Sequence, residues 1–197
     1  MRVVLPLVGA RETVDGTWGI RLQEFHAACN QLGCEPVVLK DGVDEYGAQN
    51  KTHILHDKIL PYVEWADVVM THWFADVHQS HAAIAKAVEL TSRPFRRPKP
   101  VLMFEVPSST DQGFINRFQH NCMIQLDPLD LSKKEQAMAQ YQGQFARGRT
   151  PEDLRIHSRY RGSLAGAYAA ECFFIGRSYS CLSKCPSHVN SSNACFS

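Results

Sequence analysis

Short apolar runs alternate with longer segments of helical periodicity along most of this chain. The runs comprise residues 2–8, 36–39, 68–70, 101–104 and 123–126. The apolar positions of residues 18–32, 52–63 and 80–90 recur at the spacing of helices buried on one side. Strands that alternate with helices pair in parallel and are covered on both faces. This order predicts an open α/β fold with a mainly parallel sheet, in which residues 68–70 form the central strand.

The C-terminal third carries signals for two more helices. Ser132 and Glu135 match a capping box, which predicts a helix from Ser132 to about Gln144. A last helix is predicted over residues 163–174. We expect one domain over residues 1–177 and a disordered tail over residues 178–197. The tail offers a set of residues whose spacing fits no common zinc knuckle, namely Cys181, Cys185, His188 and Cys195.

Composition excludes several classes of partner. The 197 residues contain 21 Lys and Arg against 20 Asp and Glu, and a net charge of +1 gives no field that would recruit nucleic acid or an anionic membrane. The basic run over residues 93–99 is interpreted as a surface loop. No apolar run approaches the ~20 residues of a membrane span. Four cysteines lie in apolar or helical segments and are interpreted as buried free thiols, which favours a cytoplasmic protein: Cys29, Cys34, Cys122 and Cys172.

A cluster of histidines follows the third apolar run. Residues 72–81 read HWFADVHQSH and contain three histidines and Asp76. Ligands of open parallel sheets bind beyond the carboxyl ends of the strands, where this segment is expected. If Ser80 opens the next helix, His78 and His81 could offer imidazoles to a metal, or to a metal and a substrate. Chance spacing is the alternative, and the pair His53 and His56 is interpreted as solvent-facing.

Two further segments should face the same rim of the sheet. Glu105 follows the fourth run and precedes Ser108 and Ser109, so these groups could bind a polyhydroxylated ligand, although a turn explains them equally well. Arg21 could hold a sugar hydroxyl or a phosphate. A surface salt bridge between Arg21 and Glu24 is the alternative.

These residues resemble the conserved blocks of the LmbE/PIG-L de-N-acetylases. The segment 76–81 is similar to the D-x-H-x-D-H block of that family, and residues 104–110 are similar to its E-V-P-S-S-T segment. Weaker similarities run in the same order over residues 2–177. The resemblance implies a Rossmann-like fold and zinc-dependent removal of an N-acetyl group from an N-acetylglucosamine-containing substrate.

The resemblance also implies roles for single residues. His81 corresponds to a zinc ligand, and His78 corresponds to the imidazolium that stabilises the tetrahedral oxyanion. Asp76 opens the block and is predicted to be catalytic. Ser80 stands where the family has an aspartate that orients and charges a histidine. From Arg21, Glu105, Ser108 and Ser109 we expect contacts to the substrate.

One family motif is missing from the 197 residues. In the family a His-Pro-Asp-Asp segment supplies two more zinc ligands and the general base, and no such segment occurs here. The chain is expected to begin at the family's second strand, to bind zinc weakly and to be inactive alone, because catalytic zinc needs about three protein ligands.

Two other classes of function compete with the hydrolase. A non-catalytic descendant could keep the sugar-binding rim as a binding module. Residues 66–73 also resemble a segment of two-domain nucleotide-sugar glycosyltransferases, of which this chain could be one half. Against that reading, the sequence shows no second α/β half and no nucleotide-binding signature.

Overall fold

A computed structural model describes residues 1–9, 13–95, 97–146 and 148–179, except for the side chain of Lys40. The strands are β1 (Arg2–Val8), β2 (Glu35–Asp44), β3 (Val69–His72), β4 (Val101–Phe104), β5 (Cys122–Leu126) and β6 (Ala169–Arg177). The α-helices are α1 (Trp18–Leu32), α2 (Thr52–Trp65), α3 (Gln79–Thr91), α4 (Pro128–Met138) and α5 (Pro151–Leu164). Short 3-10 helices cover Glu45–Lys51, Thr110–Gln112 and Gln142–Gln144.

The strands form two sheets. β1 and β2 pair in parallel as a two-stranded sheet, and the second sheet has the order β3-β4-β6-β5. β3 and β4 are parallel, whereas β6 is antiparallel to both β4 and β5. The predicted α/β fold with parallel pairing is confirmed. The central position predicted for the third strand is wrong, because β3 lies at an edge of its sheet.

The helix predicted over residues 163–174 is also wrong. α5 ends at Leu164, and most of that segment forms β6. The last helix in the described part of the chain is α5, which lies earlier in the sequence. Its N-cap is Thr150, whose hydroxyl accepts from the Asp153 backbone N–H, and Pro151 occupies its first position. β6 lies between two strands and its middle is a run of apolar residues, and periodicity cannot distinguish such a strand from a buried helix.

The helix predicted from Ser132 begins one turn earlier. Asp127 accepts from the Asp130 backbone N–H at 2.8 Å, and Pro128 occupies the first helical position. Ser132 lies inside α4, where its hydroxyl accepts from Gln136. The helix ends at Met138, before the predicted end. The capping box formed by Asp127 and Asp130, upstream of the predicted one, therefore sets the start of this helix.

One apolar cluster joins the two sheets. Leu7 of β1 and Val69 of β3 pack into it together with Leu55 of α2 and Ala87 of α3. α2 packs on β1, α3 packs on β3, and the two helices pack side by side. The two sheets consequently share a core although no ladder joins β1 to β3 in the described part of the chain.

The remaining sequence predictions concern the cysteines, the tail and the membrane. Cys29, Cys34 and Cys172 are buried free thiols as predicted, and Cys122 is half-buried. Residues 180–197 lie outside the described residues, so the predictions of a disordered tail and of an incidental cysteine and histidine set there stay untested. Across the described ranges, no helix is long and apolar enough to cross a membrane.

Candidate functional site

Three imidazoles stack where β3 ends and α3 begins. His72 is the last residue of β3, and its ring lies 4.2 Å from the His81 ring at 12° between planes. The His78 ring lies 4.5 Å from the His81 ring, at 24° between planes. His78 occupies the N-cap of α3, so its side chain stands at the rim. The prediction that His78 and His81 lie at the carboxyl end of the third strand is confirmed.

Asp76 is the buried centre of the site. One carboxylate oxygen accepts from the His78 backbone at 2.8 Å, and the other accepts from Ser109 Oγ at 3.0 Å and Thr110 Oγ1 at 2.7 Å. Burial raises the pKa of this carboxyl, but the hydrogen bonds from Thr110, His78 and Ser109 hold the pKa below its usual range. Asp76 is therefore ionised and fixed in one orientation.

His81 is positioned by that carboxylate. Its Nδ1 lies 3.3 Å from Asp76 Oδ1 and 3.5 Å from Ser109 Oγ. Burial lowers the pKa of His81 and Asp76 opposes this only in part, so the imidazole is neutral at physiological pH. The carboxylate beside Nδ1 favours the tautomer that carries its proton there, and in that tautomer Nε2 has the lone pair that binds an ion.

His72 is the third histidine of the cluster that the sequence predicted at this rim. Burial and the neighbouring His81 lower its pKa to about 3, so the ring is uncharged at neutral pH. It packs against the Phe104 ring at 4.8 Å, and its Nδ1 is buried without a hydrogen-bond partner. His72 thus acts as an apolar platform for His81. In the sequence, its position at the end of the third apolar run, directly before the loop, indicates that it belongs to the site.

Thr110 is the last of the three hydroxyl residues that follow Glu105 in the predicted segment. Its hydroxyl accepts from the Val106 backbone at 2.7 Å and donates to Asp76. The predicted substrate residue Ser109 donates to the same carboxylate and is 5% exposed. Both hydroxyls are occupied inside the protein. The contact predicted between Ser109 and a substrate therefore has no support in this geometry.

Ser80 lies away from the imidazoles. It is 5% exposed, and its hydroxyl donates to the Glu45 carbonyl at 3.2 Å. This contact joins α3 to the 3-10 helix that follows β2. The catalytic role predicted for Ser80 finds no support here, because the carboxylate that orients His81 is Asp76.

Glu105 is engaged in a buried ion pair. It accepts two hydrogen bonds from Arg161, one of them from Nε at 2.9 Å, and His157 Nε2 lies 2.9 Å from Oε1. Burial raises the pKa of Glu105, but His157 and Arg161 hold it below its usual range. Arg161 thus engages both oxygens of Glu105 inside the protein, and the contact predicted between Glu105 and a polyhydroxylated substrate has no support in this geometry.

The other predicted binding residues are divided between two places. Ser108 is half-buried, and its carbonyl accepts from Gln112 at 2.6 Å. Arg21 pairs with Glu24 at 2.8 Å, the alternative considered for it, and Glu24 also accepts from the Gly143 backbone. The Arg21 pair thus faces the 3-10 helix Gln142–Gln144. His53 is exposed as predicted, whereas the His56 side chain is 16% exposed and contacts Asp57.

The described residues do not build a complete metal site. Across the described ranges, no set of three or more His, Cys, Asp or Glu side chains is arranged to hold an ion. The stacking of the rings explains this for the histidines. An imidazole lone pair lies in the plane of its ring. The lone pairs of stacked, near-parallel rings therefore lie in separate parallel planes and do not converge on one ion. Of the three stacked imidazoles, only His81 has a ring nitrogen beside a carboxylate, the arrangement found behind metal-binding histidines.

Comparison with known proteins gives a likeness in structure. No protein-family model and no curated protein matches the sequence. The A40926 pseudoaglycone deacetylase Dbv21 has a TM-score of 0.69 at 18% identity, over 89% of this chain and 84% of that one. The zinc-inhibited form of the teicoplanin deacetylase Orf2 has a TM-score of 0.65 at 16% identity, over 87% and 85%.

A third structure matches almost the whole length of both chains. The conserved protein TT1542 from Thermus thermophilus has a TM-score of 0.60 at 18% identity, over 98% of each chain. These likenesses, together with the rim position of His78 and His81, support the resemblance found in the sequence. The chain has the fold of the LmbE/PIG-L-type de-N-acetylases.

Proposed function

We propose that this chain provides the scaffold and part of the active site of a zinc-dependent de-N-acetylase. Its substrate would be a small conjugate that contains N-acetylglucosamine. The observation that carries the proposal is the contact between Asp76 and His81 at the carboxyl end of β3. The fold adds support, since similar structures are deacetylases of A40926 and of the teicoplanin pathway.

Three residues take roles in this proposal. His81 would hold the metal through Nε2, while Asp76 fixes the tautomer and the direction of the ring. His78 is exposed at the N-cap of α3 and would donate a hydrogen bond to the oxyanion of the tetrahedral intermediate. Zinc, when bound in a completed site, would polarise the acetyl carbonyl and make a water molecule nucleophilic near neutral pH.

The remaining ligands must come from outside the described cluster. The family resemblance implies that they lie in a His-Pro-Asp-Asp segment at the end of a strand, and we propose that this strand would lie between β1 and β3. α2 covers β1, α3 covers β3, and the helices are neighbours. Packed helices lie about 8–10 Å apart, and two strands that are separated by one other strand lie about twice 4.8 Å apart. The two distances agree, so the helices above β1 and β3 can pack together when one strand lies between β1 and β3. We therefore place the added strand between β1 and β3.

The edges of this gap fit such a strand. Neither β1 nor β3 has a second partner strand within the part of the chain that the structure describes. Met70, in the middle of β3, is 46% exposed although it is apolar. A parallel strand beside β3 would cover Met70 and end next to His72, which brings its C-terminal residues to the histidine cluster.

The test is to fuse, ahead of Arg2, a strand that ends in His-Pro-Asp-Asp together with the crossover helix that a parallel connection to β1 requires. Zinc content and acetate release from an N-acetylglucosaminide are then measured in the fused and unfused chains. We expect the fused chain to hold one zinc ion and release acetate, and the unfused chain to do neither. His81→Ala in the fused chain should abolish both, whereas His53→Ala on the outer face of α2 should abolish neither.

Two controls make the result decisive. A fused strand that carries Ala-Pro-Ala-Ala separates the effect of the ligands from the effect of an added strand. Acetate release by the unfused chain at an enzyme-like rate would disprove the proposal that its active site is incomplete. A fused chain that binds zinc stoichiometrically and remains inert would leave the metal assignment standing and refute the hydrolase.

A non-catalytic sugar-binding module is the second candidate. It is favoured by one observation, which is that the described residues do not complete a metal site. Titration of the unfused chain with N-acetylglucosamine would distinguish the two. Saturable binding without zinc, weakened by His78→Ala, would favour the binding module over the hydrolase.

A further inference from the structure

A groove of about 440 Å³ runs along α3 over the second sheet, outside the histidine cluster. Its floor is apolar and consists of Val101, Met103 and Phe174, and Val88 of α3 forms one wall. The volume lies in the range of sites for small organic molecules. None of the imidazoles lines it, although its upper end reaches Ala82, the residue after His81. The groove is thus a separate cavity beside the candidate site.

A cation without a carboxylate partner closes the lower end of the groove. Arg177 donates to the backbone carbonyl and to the hydroxyl of Ser92, the latter at 2.6 Å, and to the Glu89 backbone carbonyl at 3.3 Å. These acceptors are neutral, and no carboxylate among the described residues pairs with Arg177. Lys86 and Glu89 at the mouth compensate one another at 2.5 Å. The guanidinium of Arg177 therefore favours an anionic group at this end of the groove.

An unpartnered hydroxyl lies at the upper end. Thr71 is 2% exposed, and its Oγ1 has no hydrogen-bond partner. Thr71 is one of the residues that line the groove. A buried hydroxyl without a partner is unfavourable, and such groups in folded proteins usually mark a ligand or an ordered water.

The strand register gives the distance between the two polar ends. Thr71 lies opposite Met103, which lies opposite Phe174, whereas Arg177 lies opposite Val101. Thr71 and Arg177 are therefore two strands apart and two residues apart along the sheet. With strand spacings of about 4.8 Å and a rise of about 3.3 Å per residue, their separation is about 12 Å. Apolar surface fills this interval.

We propose that the groove binds a medium-chain aliphatic carboxylate with a hydroxyl at its far end. The carboxylate pairs with Arg177, the chain covers Val101 and Met103, and the terminal hydroxyl bonds to Thr71. The occupant is argued from the unpaired positive charge, the apolar floor and the unpartnered hydroxyl. This site does not depend on the proposed hydrolase.

Calorimetric titration of the full chain with three matched probes tests the site. The probes are ω-hydroxydecanoate, decanoate, which lacks the hydroxyl, and decanediol, which lacks the carboxylate. We expect ω-hydroxydecanoate to bind about tenfold more tightly than either of the others, since each of them loses one buried polar contact. Equal affinity for all three, or no binding, would overturn the proposal.

Variants of Arg177 test whether this residue binds the carboxylate end of the ligand. Arg177→Gln should weaken both carboxylates about tenfold and leave decanediol unchanged, whereas Arg177→Lys should keep most of the affinity. Arg159→Gln, on the exposed side of α5, is the matched control and should change nothing. An equal loss in Arg177→Gln and Arg159→Gln would refute the ion pair.

Thr71→Val gives a second, independent decision, because valine keeps the shape of the side chain and removes only the unpartnered hydroxyl. The variant should bind ω-hydroxydecanoate and decanoate with equal affinity, at the level of decanoate in the parent chain. An unchanged tenfold preference for the hydroxylated probe would show that Thr71 is not its partner. This test decides the proposal even if Arg177→Gln fails to fold.

Discussion

Asp76 Oδ1 lies 3.3 Å from His81 Nδ1, and the carboxylate is itself held by Ser109 and Thr110. The contact joins three segments, namely the loop after β3, the first turn of α3 and the turn after β4. A buried carboxylate that orients an imidazole is a recurring arrangement behind metal-binding histidines. In this chain Asp76 takes the orienting role that the sequence pattern assigned to the position of Ser80.

Removal of the carboxylate charge should change the titration of His81 in the metal-free chain. Asp76 raises the pKa of His81 against the effect of burial, so Asp76→Asn should lower that pKa further below its ordinary value. NMR titration of the imidazole resonances measures the shift. Asp57→Asn is the matched control, because the exposed Asp57 contacts a different histidine, His56. An unchanged pKa in Asp76→Asn would show that the two groups do not interact.

The strand–helix order and the rim position of the histidines could be predicted because they rest on local signals. Short apolar runs mark β1, β3 and β4, and a strand that ends before a helix fixes where its loop lies. β6 could not be predicted in the same way. Its middle is a run of apolar residues, and only pairing with β4 and β5, which are distant in sequence, makes it a strand.

The pairing of site side chains was equally hard to predict. Glu105 and Arg161 are separated in the sequence by β5 and α4, so nothing local indicates that Arg161 occupies the carboxylate. Ser109 and Thr110 belong to a recognised motif, but the motif does not show whether a hydroxyl faces a ligand or Asp76. Tertiary contacts decide between these roles.

His72 should make the stability of the metal-free chain depend on pH. Its pKa is about 3 in the folded chain against an ordinary value of 6.5, so between these values the unfolded chain binds more protons. The contribution is fully present above pH 6.5 and is lost as pH falls towards 3. One pH unit below 6.5 the loss is about 1.4 kcal/mol.

His72→Phe should remove this dependence and keep the packing against His81 and Phe104. Urea unfolding at neutral pH and about one pH unit below 6.5 measures it, since the difference in unfolding free energy should shrink by about 1.4 kcal/mol. His53→Gln on the exposed side of α2 should leave the difference as it is. The same pH dependence in His72→Phe and the parent chain would contradict the assigned pKa.

The ion pair of Glu105 and Arg161 should contribute strongly to the free energy of unfolding. Arg161 is 8% exposed, so Glu105→Gln leaves a buried guanidinium with only the half-exposed Asp111, 3.7 Å away, as its counter-charge and should destabilise the chain by about 3 kcal/mol. Glu135→Gln is the matched control. It breaks a similar two-bond contact with Arg155, whose side chain is 52% exposed, and should cost about 1 kcal/mol or less. Equal losses in urea unfolding would show that burial does not distinguish the pairs.

Introduction of the family aspartate at position 80 should harm the chain rather than repair it. The Ser80 hydroxyl is a donor to the Glu45 carbonyl, in a site that is 5% exposed. A carboxylate can only accept there, so Ser80→Asp would bury a charge against a carbonyl and should lower the unfolding free energy by about 3 kcal/mol or more. Ser80→Ala loses only the hydrogen bond, at about 1 kcal/mol.

The same variant decides which residue orients His81. In the chain fused to a His-Pro-Asp-Asp strand, Ser80→Asp should leave acetate release unchanged or reduced, because Asp76 already occupies the position beside His81 Nδ1. Asp76→Asn should reduce zinc affinity in the same background by about 10–100-fold, the usual effect of losing such a partner. If Ser80→Asp instead folds with full stability and raises acetate release, position 80 orients the histidine and Asp76 serves only to hold the turn after β4.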